Sequence, residues 1–156
     1  MKTIQFLTMA VACLISVSAQ AGNKIDIASS DNKITRPGVF SVFADWIKEK
    51  DKKYDLNLSM INEHGKPVIV LLGEMRCYRG KTQGELKHTF FNTGEKTIQF
   101  APGQLKNFNL VCNAVDQKSG EYGIAIGSIY ENNSGDGKTL GKVLAKDVTW
   151  QIRVAQ

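Results

Sequence analysis

The segment from Arg76 to His88 carries a cluster of side chains that could bind an anion. Its candidate binding residues are Arg76, Tyr78, Arg79, Lys81, Lys87 and His88. A guanidinium can form paired hydrogen bonds with a carboxylate or phosphate group, and a tyrosine adds an amphipathic contact. We therefore predict a basic binding segment here, with an ordinary solvated loop as the alternative interpretation.

A second candidate is the connection Glu131–Asp147, which is longer than a hairpin requires. Connections of this length are often either functional or flexible, and the sequence leaves both interpretations open. The run Asn132–Gly137 superficially resembles a calcium loop. Only Asp136 in it is charged, however, and Val143 occupies the twelfth place, where an EF-hand has Glu. No metal site is therefore expected in this connection.

Catalytic chemistry has little support in the sequence. Only His64 and His88 could act as imidazole bases, and no Gly-x-Ser-x-Gly elbow or phosphate-binding loop is present. Neither histidine has a second ligand at the spacing that a zinc site needs. We expect no enzyme activity, no metal and no cofactor, although a glycosidase-type carboxylate pair stays open because its partners need only be close in space.

Residues 1–21 have the pattern of a cleavable secretory signal peptide. Lys2 starts a short positive region, Ile4–Val17 is apolar, and Ala19-Gln20-Ala21 forms a small-x-small cleavage site. The apolar stretch is short for a membrane span, so the mature chain should have no transmembrane segment. The sequence predicts an exported protein, located in the periplasm or the medium.

Export also determines how many cysteines remain. Cys13 leaves with the signal peptide, and lipidation at Cys13 is the weaker alternative because Ala10 stands where a lipobox carries Leu. Cys77 and Cys112 are then an even pair in an oxidising compartment, which predicts a disulfide. The full chain has a formal net charge of +5, a mild excess that does not indicate nucleic-acid binding.

Alternation of apolar and polar residues dominates the rest of the chain and predicts strands. We expect a loose lead-in at 22–37 and one domain at 38–156, although 40–48 could also form a short helix. The seven predicted strands are 39–47, 54–62, 67–78, 95–100, 105–113, 121–130 and 147–154, with a weaker candidate at 86–91. Many short strands without alternating helices favour an all-β antiparallel sandwich.

The cysteine positions agree with this arrangement. Cys77 and Cys112 both share parity with the apolar residues of their strands, and each lies near the end of its strand. In an immunoglobulin-like order the two strands run in the same direction. The two thiols should therefore meet at one end of the sandwich.

Three turn motifs resemble those of bacterial immunoglobulin-like adhesion and accessory modules. They are Asn62-x-x-Gly65-x-Pro67, Ala101-Pro102-Gly103-Gln104 and Ser119-Gly120-x-Tyr122. The resemblance covers roughly residues 54–130 and implies an immunoglobulin-like β-sandwich of about seven strands. It implies no functional residues, because these motifs mark turns that any such sandwich needs.

Taken together, these features predict a non-catalytic binding or structural module of the cell envelope. Its basic segment would face an anionic envelope component or another protein, and nucleic acid is not an expected partner. A secreted protease inhibitor, a hydrolase with an unrecognised carboxylate site and a surface-fibre subunit are the alternatives. The final predicted strand, 147–154, argues against a fibre subunit completed by a donated strand.

Overall fold

The fold is taken from a computed structural model, which describes residues 24–50, 52–88, 95–114 and 120–154. The predicted signal peptide and cleavage site lie outside the described residues. Within these ranges the chain has eleven strands, one short helix and one 3-10 turn. The all-β antiparallel fold with one disulfide is therefore confirmed, whereas the number of strands is higher than the predicted seven.

The elements follow one another in a simple order along the chain. They are β1 Lys24–Asp26, α1 Ser29–Asn32, β2 Ile34–Arg36, β3 Phe40–Lys50, β4 Lys53–Asn62, β5 Val68–Leu71, a 3-10 turn at Leu72–Glu74, β6 Arg76–Arg79, β7 Thr82–His88, β8 Thr97–Phe100, β9 Leu105–Asn113, β10 Glu121–Glu131 and β11 Val143–Arg153. Residues 40–48, for which a short helix was the alternative, thus lie in β3. The weaker candidate at 86–91 overlaps β7 at 86–88, and its residues 89–91 lie outside the described residues.

All strands join one continuous sheet in the order β1-β3-β4-β9-β7-β6-β10-β5-β8, with β2 beside β3 and β11 beside β10. The sheet folds back on itself, because aromatic rings from its two halves meet edge to face. Phe40 of β3 lies 5.2 Å from Phe100 of β8, and Tyr54 of β4 lies 5.1 Å from Tyr122 of β10, measured between ring centroids. The apolar core therefore lies between two layers.

The alternating pattern places one face of each long strand in this core. Tyr54, Leu56 and Leu58 of β4 are fully buried, and so are Ile124 and Ile126 of β10. Full burial of one such aliphatic side chain stabilises the fold by about 1.5–3 kcal/mol. The two-residue period read from the sequence thus identifies the inward positions correctly.

The predicted lead-in 22–37 contains more structure than its composition suggests. β1 and β2 both pair with β3, and α1 lies between them. The buried side chain of Asn32 holds this region to the core: its Oδ1 accepts hydrogen bonds from Ala44 N at 2.5 Å and from Trp150 Nε1 at 3.0 Å. β1 and β2 have only three residues each, which is too few for an alternation of apolar and polar residues to be visible in the sequence.

β7 passes from one layer to the other. Its first half pairs with β6, where Gly84 lies opposite Cys77, and its second half pairs with β9, where Leu86 lies opposite Cys112. The disulfide Cys77–Cys112 spans β7 at this crossing, with the two Cα atoms 5.9 Å apart. A Cβ on Gly84 would lie 2.7 Å from Cys112 Sγ, so glycine is needed where the strand passes the bridge.

The predicted strand 67–78 is interrupted by the 3-10 turn, which separates β5 from β6. Glu74 in this turn accepts hydrogen bonds from Ser128 N at 2.8 Å and Tyr130 OH at 3.1 Å, where β10 has an irregular register. Gly127 has φ +89°, and a Cβ there would lie 2.6 Å from the Cβ of Glu74. The glycine and the glutamate therefore form this irregularity together.

Candidate functional site

The two arginines of the predicted basic segment do not converge on one surface. Arg79 shares the inward parity of Cys77, is 3 % exposed, and its Nη2 lies 2.6 Å from Glu49 Oε1. Arg76 is exposed, but its Nη1 donates hydrogen bonds to the carbonyls of Gly73 and Met75, each at 2.7 Å. The pair is thus not arranged to fork onto one anion together.

The other members of the segment are spread over two strands and a turn. Lys81 is exposed in the turn between β6 and β7, and the exposed Lys87 lies 3.6 Å from Glu85, measured from Nζ to Oε2. Tyr78 lines a groove of about 520 Å³ on β6, β10 and β11. His88 is half-buried, and burial lowers the pKa of its imidazole.

A larger cleft of about 890 Å³ lies between β8 and the loop 132–142. We call it the β8 cleft, and its lining consists of Leu71, Glu95, Lys96, Thr97, Ile98, Gln99, Lys106, Asp136, Gly137, Lys138 and Leu140. Leu71, Ile98 and Leu140 give it an apolar part, while lysines from three separate regions of the chain surround it. A site with an apolar part and a few polar groups is typical of ligand-binding clefts.

The loop 132–142 is held in place by the side chain of Asp136. Its carboxylate accepts hydrogen bonds from Ser134 Oγ at 2.7 Å, from Lys138 N at 2.8 Å, and from the backbone N and Oγ1 of Thr139, both at 2.9 Å. These donors hold the pKa of Asp136 well below its usual range. This part of the connection Glu131–Asp147, for which the sequence left a functional and a flexible interpretation open, is therefore an internally hydrogen-bonded loop.

Contacts with β8 then fix the loop as one wall of the cleft. Thr97 Oγ1 donates to the carbonyl of Gly137 at 2.8 Å, and Asn132 Nδ2 donates to Gln99 Oε1 at 3.2 Å. Gly137 has φ +68°, and a Cβ there would collide with the Gln99 side chain. Glycine thus permits the close approach of the loop to β8.

The cleft has a net positive charge, because its lining contains three lysines and two carboxylates, those of Glu95 and Asp136. Within the described residues, Lys96, Lys106 and Lys138 take part in no salt bridge, since each pair found there uses other lysines or arginines. Lys106 Nζ lies 5.5 Å above the ring centroid of Phe100. Asp136 is committed to its own loop, so Glu95 is the one carboxylate of the lining that is not already hydrogen-bonded in the described part of the chain.

The backbone of β8 contributes a further set of polar groups. Leu72 N donates to Lys96 O at 3.0 Å, and Asn132 N donates to Pro67 O at 2.8 Å. Backbone N–H and C=O groups of successive residues in a strand point to opposite edges. These two bonds and the register therefore show that the backbone groups of even-numbered β5 residues bond to β8. Those of odd-numbered β5 residues bond to β10. Thr97 and Gln99 therefore direct their N–H and C=O groups away from β5, and no described strand pairs with them.

Sequence reasoning missed this site because its cations are far apart in the chain. Lys96 precedes β8, Lys106 is in β9 and Lys138 is in the loop 132–142. No spacing rule connects three such positions. The signal that was present was the length of the connection after Glu131, which contributes the wall of the cleft.

Other kinds of site find no support among the described residues. No group of three or more His, Cys, Asp and Glu side chains there is placed to hold a metal ion. None of the described helices has the length and apolarity needed to cross a membrane.

Comparison with known proteins identifies a similar fold but no matching family model. No protein-family model and no curated protein sequence matches the chain. The chain is similar to the structure of a "putative lipoprotein (ycdA)" from Bacillus subtilis, with a TM-score of 0.52 and 14% sequence identity, over 79% of this chain and 38% of that one. A FixG-related protein from Vibrio parahaemolyticus gives a TM-score of 0.39 at 14% identity, over 77% and 94% of the chains.

These two similarities carry different weight. The first shows a shared fold alone, and this chain spans 38% of the length of the Bacillus protein. The second, at a TM-score of 0.39, carries no argument.

Proposed function

We propose that this chain is an exported, non-catalytic binding module of the cell envelope that recognises an anionic partner in the β8 cleft. The observation that carries the proposal is the group of three lysines, Lys96, Lys106 and Lys138, which line one cleft without a salt bridge to any described residue. Cations that line one cleft without an ion pair favour an anionic partner, because they form a complementary surface for it.

The position of the lysines supports binding more strongly than the predicted basic segment does. Cations around a concave surface act together on an approaching anion, because the walls concentrate the field between them. Arg76 and Arg79, by contrast, are engaged by backbone carbonyls and by Glu49. The exposed Lys81 and Lys87 remain predicted to make a secondary contact with the anionic partner.

Export is supported by several independent features. The sequence of residues 1–21 predicts a signal peptide, and a disulfide between Cys77 and Cys112 is typical of oxidising compartments. The Bacillus protein that shares the fold carries the word lipoprotein in its name, which agrees with an envelope location. The immunoglobulin-like relationship of the fold remains a prediction of the turn motifs.

The proposal can be tested by binding to immobilised polyglutamate at low salt. The triple variant Lys96→Gln, Lys106→Gln, Lys138→Gln should bind about tenfold more weakly than the wild type, since three weak ion pairs are lost. The matched control is Arg76→Gln, Lys81→Gln, Lys87→Gln, which removes the same charge from exposed positions of the predicted segment.

The control should retain most of the wild-type affinity. Equal binding by the wild type and the cleft variant would overturn the proposal. A loss confined to the control variant would return the binding site to the basic segment.

A further inference from the structure

None of the described strands pairs with the outer edge of β8, which lies within the cleft. β8 lies at one end of the sheet order, and its inner edge pairs with β5 over Thr97–Phe100. Thr97 and Gln99 direct their backbone N–H and C=O groups toward the other side, as the register shows. Unpaired backbone groups of this kind are a template for a further strand.

We infer that the β8 cleft takes an extended polypeptide segment with acidic side chains, which adds to the sheet as a strand along the outer edge of β8. This inference rests on the proposed function and specifies its partner. In such strand addition, main-chain hydrogen bonds supply affinity and alternate side chains supply specificity. Both kinds of contact are offered by the same cleft.

The lining explains which side chains the added segment should carry. Lys96, Lys106 and Lys138 favour carboxylates, while Leu71, Ile98 and Leu140 offer an apolar surface beside them. The apolar groups do not share one face of the sheet, since Leu71 lies opposite Thr97 and so has the other parity from Ile98. A segment that contains both acidic and apolar side chains is therefore the expected partner.

A second copy of this chain is a poor occupant for the same edge. Pairing β8 with β8 of another molecule would bring two sets of Lys96, Lys106 and Lys138 together. Like charges opposite one another across a strand pair are destabilising. The charge of the cleft therefore favours a different, acidic chain over self-association.

Backbone methylation of a peptide probe tests the inference directly. The parent probe is a short peptide of alternating Glu and Val. A first derivative carries N-methyl groups on every second residue, so one edge of its strand can still pair with β8. A second derivative carries the same number of methyl groups divided between both edges, so neither edge pairs without interruption.

We expect the parent and the one-edge derivative to bind with similar affinity, and the two-edge derivative to bind about tenfold more weakly or worse. The reason is the loss of backbone hydrogen bonds, each of modest net strength. Equal binding of all three peptides, lost in the triple lysine variant, would leave the anion-binding cleft in place and overturn strand addition. Absence of binding by the parent peptide, with polyglutamate still bound, would overturn it as well.

Amide hydrogen exchange gives a second readout that reports on the protein itself. Addition of the parent peptide should slow exchange at Thr97 and Gln99, because their N–H groups become hydrogen-bonded. Ile98 and Phe100, which already pair with β5, should change much less. Binding without added protection at Thr97 and Gln99 would contradict the inference. Loss of binding to every anionic probe would instead contradict the proposed function.

Discussion

At the scale of single residues, the position of a cation along its strand decides whether the side chain is buried or free to bind a partner, as the pair Arg79–Glu49 shows. Arg79 occupies an inward position of β6, and its side chain is 4 % exposed against 26 % for that of Glu49. A buried guanidinium without a carboxylate would leave a costly unpaired charge. Glu49 also contributes, after burial itself, to raising the pKa of the neighbouring Tyr122 hydroxyl. The side chains of Arg79, Glu49 and Tyr122 therefore form a polar group that belongs to the protein interior.

The role of this ion pair can be measured with Glu49→Gln. The variant should lower the free energy of unfolding by about 1.5–3 kcal/mol, because the buried Arg79 loses its charge-assisted hydrogen bond to Glu49. Urea denaturation followed by circular dichroism measures the difference. The matched control is Glu85→Gln, which alters an exposed carboxylate near Lys87 and should cost no more than about 0.5 kcal/mol. Equal losses in the two variants would show that Arg79 does not depend on Glu49.

At the scale of elements, the loop 132–142 combines a rigid turn with an exposed tip. Asp136 satisfies the backbone N–H groups of Lys138 and Thr139, whereas Leu140 remains 41 % exposed beside the cleft. Side-chain acceptors of this type stabilise a local turn without a regular element. The loop can therefore hold Lys138 in place next to β8.

The lowered pKa of Asp136 gives this loop a defined dependence on pH. The pKa of Asp136 in the folded state lies below its ordinary value of 3.8. The stabilisation of the loop by the ionised carboxylate is therefore fully present above pH 3.8. It is lost as the pH falls below 3.8 toward the folded-state pKa. The loop should therefore stay ordered at any pH near neutrality.

Asp136→Asn tests this account of the loop. At neutral pH the variant should lose most of the exchange protection of the Lys138 and Thr139 amides, since a neutral amide oxygen accepts hydrogen bonds less strongly than a carboxylate. The protection factors of the wild type should fall only below pH 3.8, while those of the variant should not follow that titration. Glu95→Gln removes a charge from the same cleft and should leave both amides unchanged. Protection that is equal in wild type and Asp136→Asn would contradict the role of this carboxylate.

At the scale of the whole molecule, local pattern predicted the fold better than it predicted the site. Alternation located the long strands, and shared parity predicted the disulfide, because both depend on which face of a strand is buried. The short β1 and β2 gave no usable pattern, and the break at Leu72–Glu74 was missed because it begins at the last residue of the apolar run 68–72. The β8 cleft was out of reach, since it depends on the sheet order that brings Lys96, Lys106 and Lys138 together.

The disulfide is the feature that acts on the whole molecule, because it reinforces the crossing of β7 between the layers. β7 is held by three residue pairs with β6 and four with β9, which is a short ladder on each side. Cys77 and Cys112 belong to the strands that flank β7, so their bond connects the same two layers directly. Without the disulfide, the connection between the two layers depends on the short ladders of β7.

Replacement of both cysteines, Cys77→Ala with Cys112→Ala, should therefore lower the free energy of unfolding by about 3–4 kcal/mol, as expected from the entropy of closing a loop of this length. Exchange protection should fall first at Glu85 and Lys87, because the register directs their N–H groups toward β9. The single variant Cys13→Ala is the matched control and should leave the stability of the processed protein unchanged, because that residue lies in the predicted signal peptide. A double variant as stable as the wild type would mean that the ladders of β7 alone hold the two layers together. Loss of protection spread evenly over all strands would show that the bridge stabilises the fold without a special role at the crossing.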